Sequence, residues 1–97
     1  MKNTFSHPVF VEKEEVSRLR FPLKEVLSTD AMKLSRSSAL QRAVDYGNYA
    51  HYKVAIIFKD KYGLKQVETT LWDMDESNVY LKNRVNIPIH CIVKVSL

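Results

Sequence analysis

The chain is poor in the residues that punctuate or cross-link proteins: of 97 residues, two are glycine, three proline and one cysteine. So little glycine and proline excludes a collagen-like or flexible low-complexity chain. A lone Cys91 excludes an internal disulfide, a CxxC redox pair and a cysteine-built zinc site, so the fold must rest on packing. No apolar run approaches the ~18 residues of a membrane span, and no membrane partner is expected. Asn3, Ser6, His7 and Pro8 interrupt the start, where a signal peptide would be apolar. The expected compartment is the cytoplasm, in keeping with a free thiol inside an apolar stretch. Gly47 and Gly63 stand alone, so no phosphate-cradling loop can be written, and His7, His51 and His90 lie at no metal-ligating spacing. No cofactor and no metal is expected.

What remains is an ordinary globular composition. With 45% apolar and 27% charged residues in 11.3 kDa, residues 1–97 suit a single domain with mass for one core, and a two-domain enzyme is excluded. The net charge of +4 is concentrated in the middle. Residues 36–62 carry five bases against two acids, residues 1–35 six against five, and residues 63–97 four of each.

Residues 1–35 read as an N-terminal extension of mixed charge. Val9, Phe10 and Val11 have extended character, the first eight residues are expected to fray, and Pro22 can open a short helix over Leu23 to Leu27. From Ser37 the pattern sharpens. Ser38 followed by Gln41 fits a capping box. Leu40, Ala43, Val44 and Gly47 recur at i, i+3, i+4 and i+7, one apolar stripe from which Arg36, Gln41, Arg42 and Asp45 point away. Gly47-Asn48 supplies the left-handed residue types that end helices. A helix over Ser38 to Tyr46, within 36–50, is predicted.

Beyond Lys53 the period becomes two. Val54 to Phe58 is a solid apolar run that predicts a strand buried on both sides. Asp60-Lys61-Tyr62-Gly63 predicts a hairpin turn, and Val67, Thr69 and Leu71 alternate with Glu68, Thr70 and Trp72. Asp73 to Asn78 is an acidic turn, Val79 to Lys82 a short strand and Asn83-Arg84 a second turn. Val85, Ile87, Ile89, Cys91, Val93 and Val95 then fall on one parity. Pro88 lacks an amide donor, which predicts an edge or a bend near His90 and Cys91. The expected fold is α+β, mostly β: N-terminal helical segments, then five short, strongly bent antiparallel strands over 53–97 that curl into a small SH3-like or Sm-like barrel.

Residues 38–97 resemble the Sm-like superfamily, which includes the Hfq type of bacterial RNA chaperone, and look like other helix-plus-barrel regulators of the Rho-binding-antiterminator type. Val54-Ala55-Ile56-Ile57-Phe58 is similar to that fold's opening strand, Val79-Tyr80-Leu81-Lys82-Asn83 to its third strand, and Ile89-His90-Cys91-Ile92-Val93-Lys94-Val95 to its second motif. The resemblance implies uridine-rich RNA as ligand, with His90 as the one carried-over binding residue. The lysine and the aromatic that precede this histidine in the family are Ile89 and Pro88 here. The Val-Glu-Thr-Thr-Leu-Trp strand and the Ile-Pro-Ile edge also resemble segments of short bacterial proteins, a likeness that implies no activity.

Few groupings bear chemistry. His90 and Cys91 are neighbours on an expected strand, where adjacent side chains face opposite ways, so Cys91 reads as a buried structural thiol. Asp73, Asp75 and Glu76 lack the glycine and distal glutamate of a calcium loop and read as a solvated turn. Tyr46, Tyr49 and Tyr52 lie where the helix should dock. No two catalytic groups can be placed on one surface, so the expected function is a non-enzymatic binding or adaptor module acting by contact. Two partner classes follow. Arg36, Arg42, Lys53, Lys59 and Lys61 with Tyr62 could hold RNA or single-stranded DNA, phosphates on cations and bases on rings. Alternatively Trp72, on the polar parity of its strand, and the Pro88 edge could bind another protein or a second copy of the chain.

Overall fold

The computed structural model describes residues 7–97. Its frame is a hairpin of β2 (Val54–Asp60) and β3 (Gly63–Thr69), paired from Asp60↔Gly63 to Val54↔Thr69. The expected turn is present, and Gly63 makes it possible with φ 142, a conformation L side chains rarely adopt. Asp60 fastens the turn by accepting from the Tyr62 amide at 2.8 Å and from Lys65 Nζ at 3.1 Å. β7 (Ile92–Ser96) pairs antiparallel with the other side of β2. Val54, Ile56 and Phe58 of the central strand are therefore buried. β1 (Val9–Phe10) adds parallel to β3, as the extended character of Val9 to Val11 predicts, and the order is β1-β3-β2-β7.

A second sheet is made of β4 (Asp73–Met74), β5 (Asn78–Tyr80) and β6 (Asn86–Pro88), in that order. The expected five-stranded sheet is thus replaced by sheets of four and three strands, and the described strands do not close a barrel. The pairing of β3 stops at Thr69; residues 70–72 pass against the helix, with the Leu71 carbonyl at Gly47, and the Trp72 amide, donating to the Tyr80 carbonyl at 2.9 Å, opens the β4–β5 ladder. The molecule is α+β.

The long helix α2 spans Asp30–Ala50, not 38–46. Its N-cap is Thr29, whose hydroxyl accepts from the Met32 amide at 3.1 Å; Ser38 is mid-helix and exposed. The first two turns carry no apolar stripe because Arg36 occupies the position one turn before Leu40. Arg36, Leu40, Ala43, Val44 and Gly47 form one buried face, so Arg36 does not point away as expected. Gly47 does not end the helix either. It lies against the Leu71 carbonyl, which a Cβ would strike. The terminator is His51, left-handed at φ 55, whose amide donates to Gly47 O at 2.9 Å.

The N-terminal segment is part of the body. A short helix α1 (Lys13–Val16), with Glu12 and Glu15 capping each other, buries Val16 completely. The helix expected over Leu23 to Leu27 is absent. The Val26 amide donates instead to His90 O at 2.9 Å and the Leu27 amide to Glu25 Oε2 at 2.9 Å, bonds a helical turn would forbid. The first six residues lie outside the described chain, so their expected fraying is not described.

Pro88 does sit on an edge strand, and the chain bends right after it in a 3-10 turn over Ile89–Cys91. That turn breaks the single parity expected from Val85 to Val95. Cys91 and Ile92 are both buried, while Val93 and Val95 are only half-buried. Leu40, Phe58, Ile56, Leu71, Ile87 and Ile92 make the fully enclosed centre.

Candidate functional site

The basic stretch of the sequence is divided by the fold. Arg36 is buried; its Nη1 and Nη2 donate to both Glu25 oxygens at 2.7 and 2.6 Å, and Nη1 also reaches Ile92 O at 3.0 Å. This forked pair holds the Glu25 carboxyl down to about 2, chiefly through the Arg36 hydrogen bonds. Arg36 therefore ties α2, residues 21–29 and β7 together and is not free to meet a phosphate. Arg42 is exposed on α2 beside β7. Lys59, Lys61 and the well-exposed Tyr62 cluster at the β2–β3 turn. Lys53 lies at the opposite end of β2, about 20 Å away at strand rise. These residues do not form one patch.

His90 is half-buried, and its Nε2 donates to Pro22 O at 2.7 Å, in the tautomer that carries the proton there. Cys91 Sγ meets the same carbonyl at 3.6 Å. The two side chains converge because Ile89–Cys91 is a 3-10 turn and not the strand the sequence suggests. Burial pushes the Cys91 thiol up to about 11, with Glu25 adding to the rise, so it is a poor source of thiolate. Asp75 caps the exposed acidic turn, accepting from the Ser77 and Asn78 amides at 2.8 Å each and from Tyr80 Oη at 2.5 Å. The Tyr80 hydroxyl, then the amides, hold its carboxyl below the usual range. Tyr49 is 91% exposed and does not dock α2, while Tyr46 and Tyr52 lean together with ring centroids 5.9 Å apart.

One cleft collects aromatic and basic groups from separate parts of the chain. Trp72 is half-buried and meets the His51 ring edge-on, centroids 5.1 Å apart. Both are positioned by backbone bonds. Asn48 Nδ2 donates to Trp72 O at 3.2 Å, and Thr70 Oγ1 donates to His51 O at 3.2 Å. Lys13 from α1, Lys53 before β2 and Lys82 after β5 stand around the rings, with Glu68 the one carboxylate, in a cleft of about 290 Å³. Among the described residues none of these lysines is in an ion pair. Beside it the β5–β6 turn holds both Asn83 and Arg84 at φ 63; for an arginine that conformation is costly.

Of the expected site residues only Lys53 and Trp72 meet in this cleft. Pro88 is half-buried on the β6 edge opposite Asn78. Sequence reasoning passed over Lys13, His51 and Lys82. Lys13 lies in an acid-rich run, His51 reveals itself only as a left-handed cap, and Lys82 reads as the end of a strand. Among the described residues no three His, Cys, Asp or Glu side chains gather as metal ligands, and no helix is long and apolar enough to cross a membrane. No protein-family model, no curated protein and no solved structure matches the chain.

Proposed function

We propose that the protein is a non-enzymatic binding module that acts by macromolecular contact, with single-stranded nucleic acid held at the Trp72 cleft. The observation that carries this reading is the set of three lysines around the Trp72–His51 pair, unpaired among the described residues and drawn from three segments far apart in sequence. Packing does not require that convergence. A ring flanked by free cations suits a base on the indole and phosphates on the ammonium groups, as in proteins that hold single strands without strong sequence preference. A buried, unpaired Cys91 fits a reducing, cytoplasmic setting.

Trp72 is the one tryptophan of the chain, so its fluorescence reports on the cleft directly. Twelve-nucleotide oligo-U or oligo-A should quench it at low salt. The binding constant should fall with salt at a log–log slope of about −2, as expected when three phosphates are neutralised on a single strand. Trp72→Ala should weaken binding about tenfold, the loss of one stacked base. Unchanged fluorescence with both oligonucleotides at low salt removes the reading. A sedimentation mass that is a multiple of 11.3 kDa and collapses with Trp72→Ala would replace it with self-association.

A further inference from the structure

We propose that the groove between α2 and β7 takes an extended acidic peptide from another protein, which adds to β7 as a further strand. β7 is the outermost strand of its sheet, and no described strand pairs with its outer edge. Such an edge presents unpaired amides and carbonyls ready for another chain. Alongside it lies a groove of about 480 Å³. Leu27, Met32, Val93 and Val95 give it apolar surface, and Ala31, Ser35 and Ala39, spaced one turn apart on α2, keep part of the helix wall low. The residues present leave room between helix and strand for a backbone with small or β-branched side chains. The Ile92 carbonyl is already taken by Arg36, which leaves Val93 to Ser96, about 13 Å of edge at strand rise.

Charge decides the occupant. The groove is lined by Arg36, Arg42 and Lys94 and by no carboxylate. Arg42 and Lys94 are exposed and, among the described residues, outside every ion pair. Arg36, whose side chain is 6% exposed, lies deeper. Its two Nη atoms are committed, and its buried Nε–H has no acceptor among the described residues. Arg42 and Lys94, exposed with no carboxylate in the groove beside them, favour a partner rich in carboxylates. A second copy of this chain is a poor fit. Of its other edge strands, Val9–Phe10 and Asn86–Pro88 carry no acid and Pro88 offers no amide, while Asp73–Met74 is only two residues long with a single acid, too short to pair along β7. Nucleic acid fits worse, since no aromatic ring lines the groove for a base to stack upon.

The test uses the 15N-labelled full chain titrated with the capped peptide Ac-Glu-Val-Glu-Val-Glu-amide. Expected are saturable amide shifts at Val93, Lys94, Val95 and the facing turns of α2, with none at Trp72. Replacing every peptide Glu by Lys should weaken binding at least about tenfold, as should Arg42→Glu with Lys94→Glu in the protein, since facing charges of like sign repel. Both substituted side chains are exposed, so circular dichroism should stay unchanged. N-methylating alternate peptide amides on the strand-pairing side should abolish the shifts, separating strand addition from charge attraction alone. No shift at about millimolar peptide, equal binding of the lysine peptide, or indifference to N-methylation overturns the proposal. So do β7 shifts that track protein concentration without peptide, the mark of self-association, or oligo-U shifting β7 in place of the Trp72 cleft.

Discussion

Arg36 and Lys53 belong to the same basic stretch, yet one is a structural member and the other a free surface charge. Arg36 is buried in a forked pair with Glu25. Lys53 is exposed beside Trp72 and, among the described residues, unpaired. The difference lies in what reaches each cation. Residues 21–29 bring a carboxylate to Arg36, with Val26 anchored on His90 and Leu27 on Glu25 itself. Glu68 and Glu12 line clefts with Lys53, but Glu12 is engaged in capping α1 and Glu68 shares its cleft with three lysines, and among the described residues neither forms an ion pair with Lys53. A net charge counted along a sequence cannot separate these roles, because one cation meets an acid eleven residues away and the other stands near acids that, among the described residues, do not pair with it.

Breaking the Glu25–Arg36 pair should have the largest effect. Glu25→Ala leaves a guanidinium buried with no counter-charge, a change that costs about 3–5 kcal/mol. In a domain of this size that lowers the melting temperature by more than about 12 °C. Replacing both partners, Glu25→Leu with Arg36→Met, should recover most of the loss, since a well-packed apolar pair avoids the desolvation penalty. Chemical denaturation of the three proteins checks this. If Glu25→Ala melts like the parent, Arg36 does not tie α2, residues 21–29 and β7 together.

The same pair sets an acid limit. The Glu25 carboxyl titrates at about 2 when folded, against 4.5 as its ordinary value. A lowered value means the stabilisation is present above about pH 4.5 and disappears as pH falls toward 2, an effect on the order of 2–3 kcal/mol. Glu25→Gln should flatten the stability curve across that window. Cys91 works in the opposite sense. Raised from 9.0 to about 11, it favours the folded state below pH 9, and that support fades as pH rises through 11. Stability measured from pH 2 to 11 on the parent, Glu25→Gln and Cys91→Ala resolves the two limbs.

Legibility in the sequence followed local physics. The β2–β3 hairpin was readable because a solid apolar run and an Asp-Lys-Tyr-Gly turn act on neighbouring residues, and the Pro88 edge because a missing amide is a local fact. The buried stripe of Leu40, Ala43, Val44 and Gly47 was readable for the same reason. What failed was set at a distance. The extra turns of α2 are hidden because Arg36 stands where an apolar residue would mark the stripe, and Glu25 makes that tolerable. Gly47 resembles a helix end, yet its need comes from Leu71. The parity of the last strand is broken by three residues whose 3-10 turn is held by the Pro22 carbonyl, far away in sequence. The candidate site was half-visible. Lys53 and Trp72 could be singled out by type, but Lys13, His51 and Lys82 join them only through α1, a helix cap and the end of β5.

The smallest expected effect on stability is the most informative about the cleft. Lys53→Ala and Lys82→Ala remove exposed cations that hold nothing together, so each should change folding free energy by no more than about 0.5 kcal/mol. Each should also take about 0.7 off the magnitude of the salt slope for oligo-U, one phosphate fewer neutralised on a single strand. Stability untouched with the salt slope reduced is the signature of a contact cation, and Arg36 should show the reverse, failing in folding first. If the double variant instead loses 2 kcal/mol or more, a threshold of about four times the surface norm, then Lys53 and Lys82 pair with something in solution. The asymmetry between the two ends of the basic stretch would then disappear, since both would be cations retained for folding.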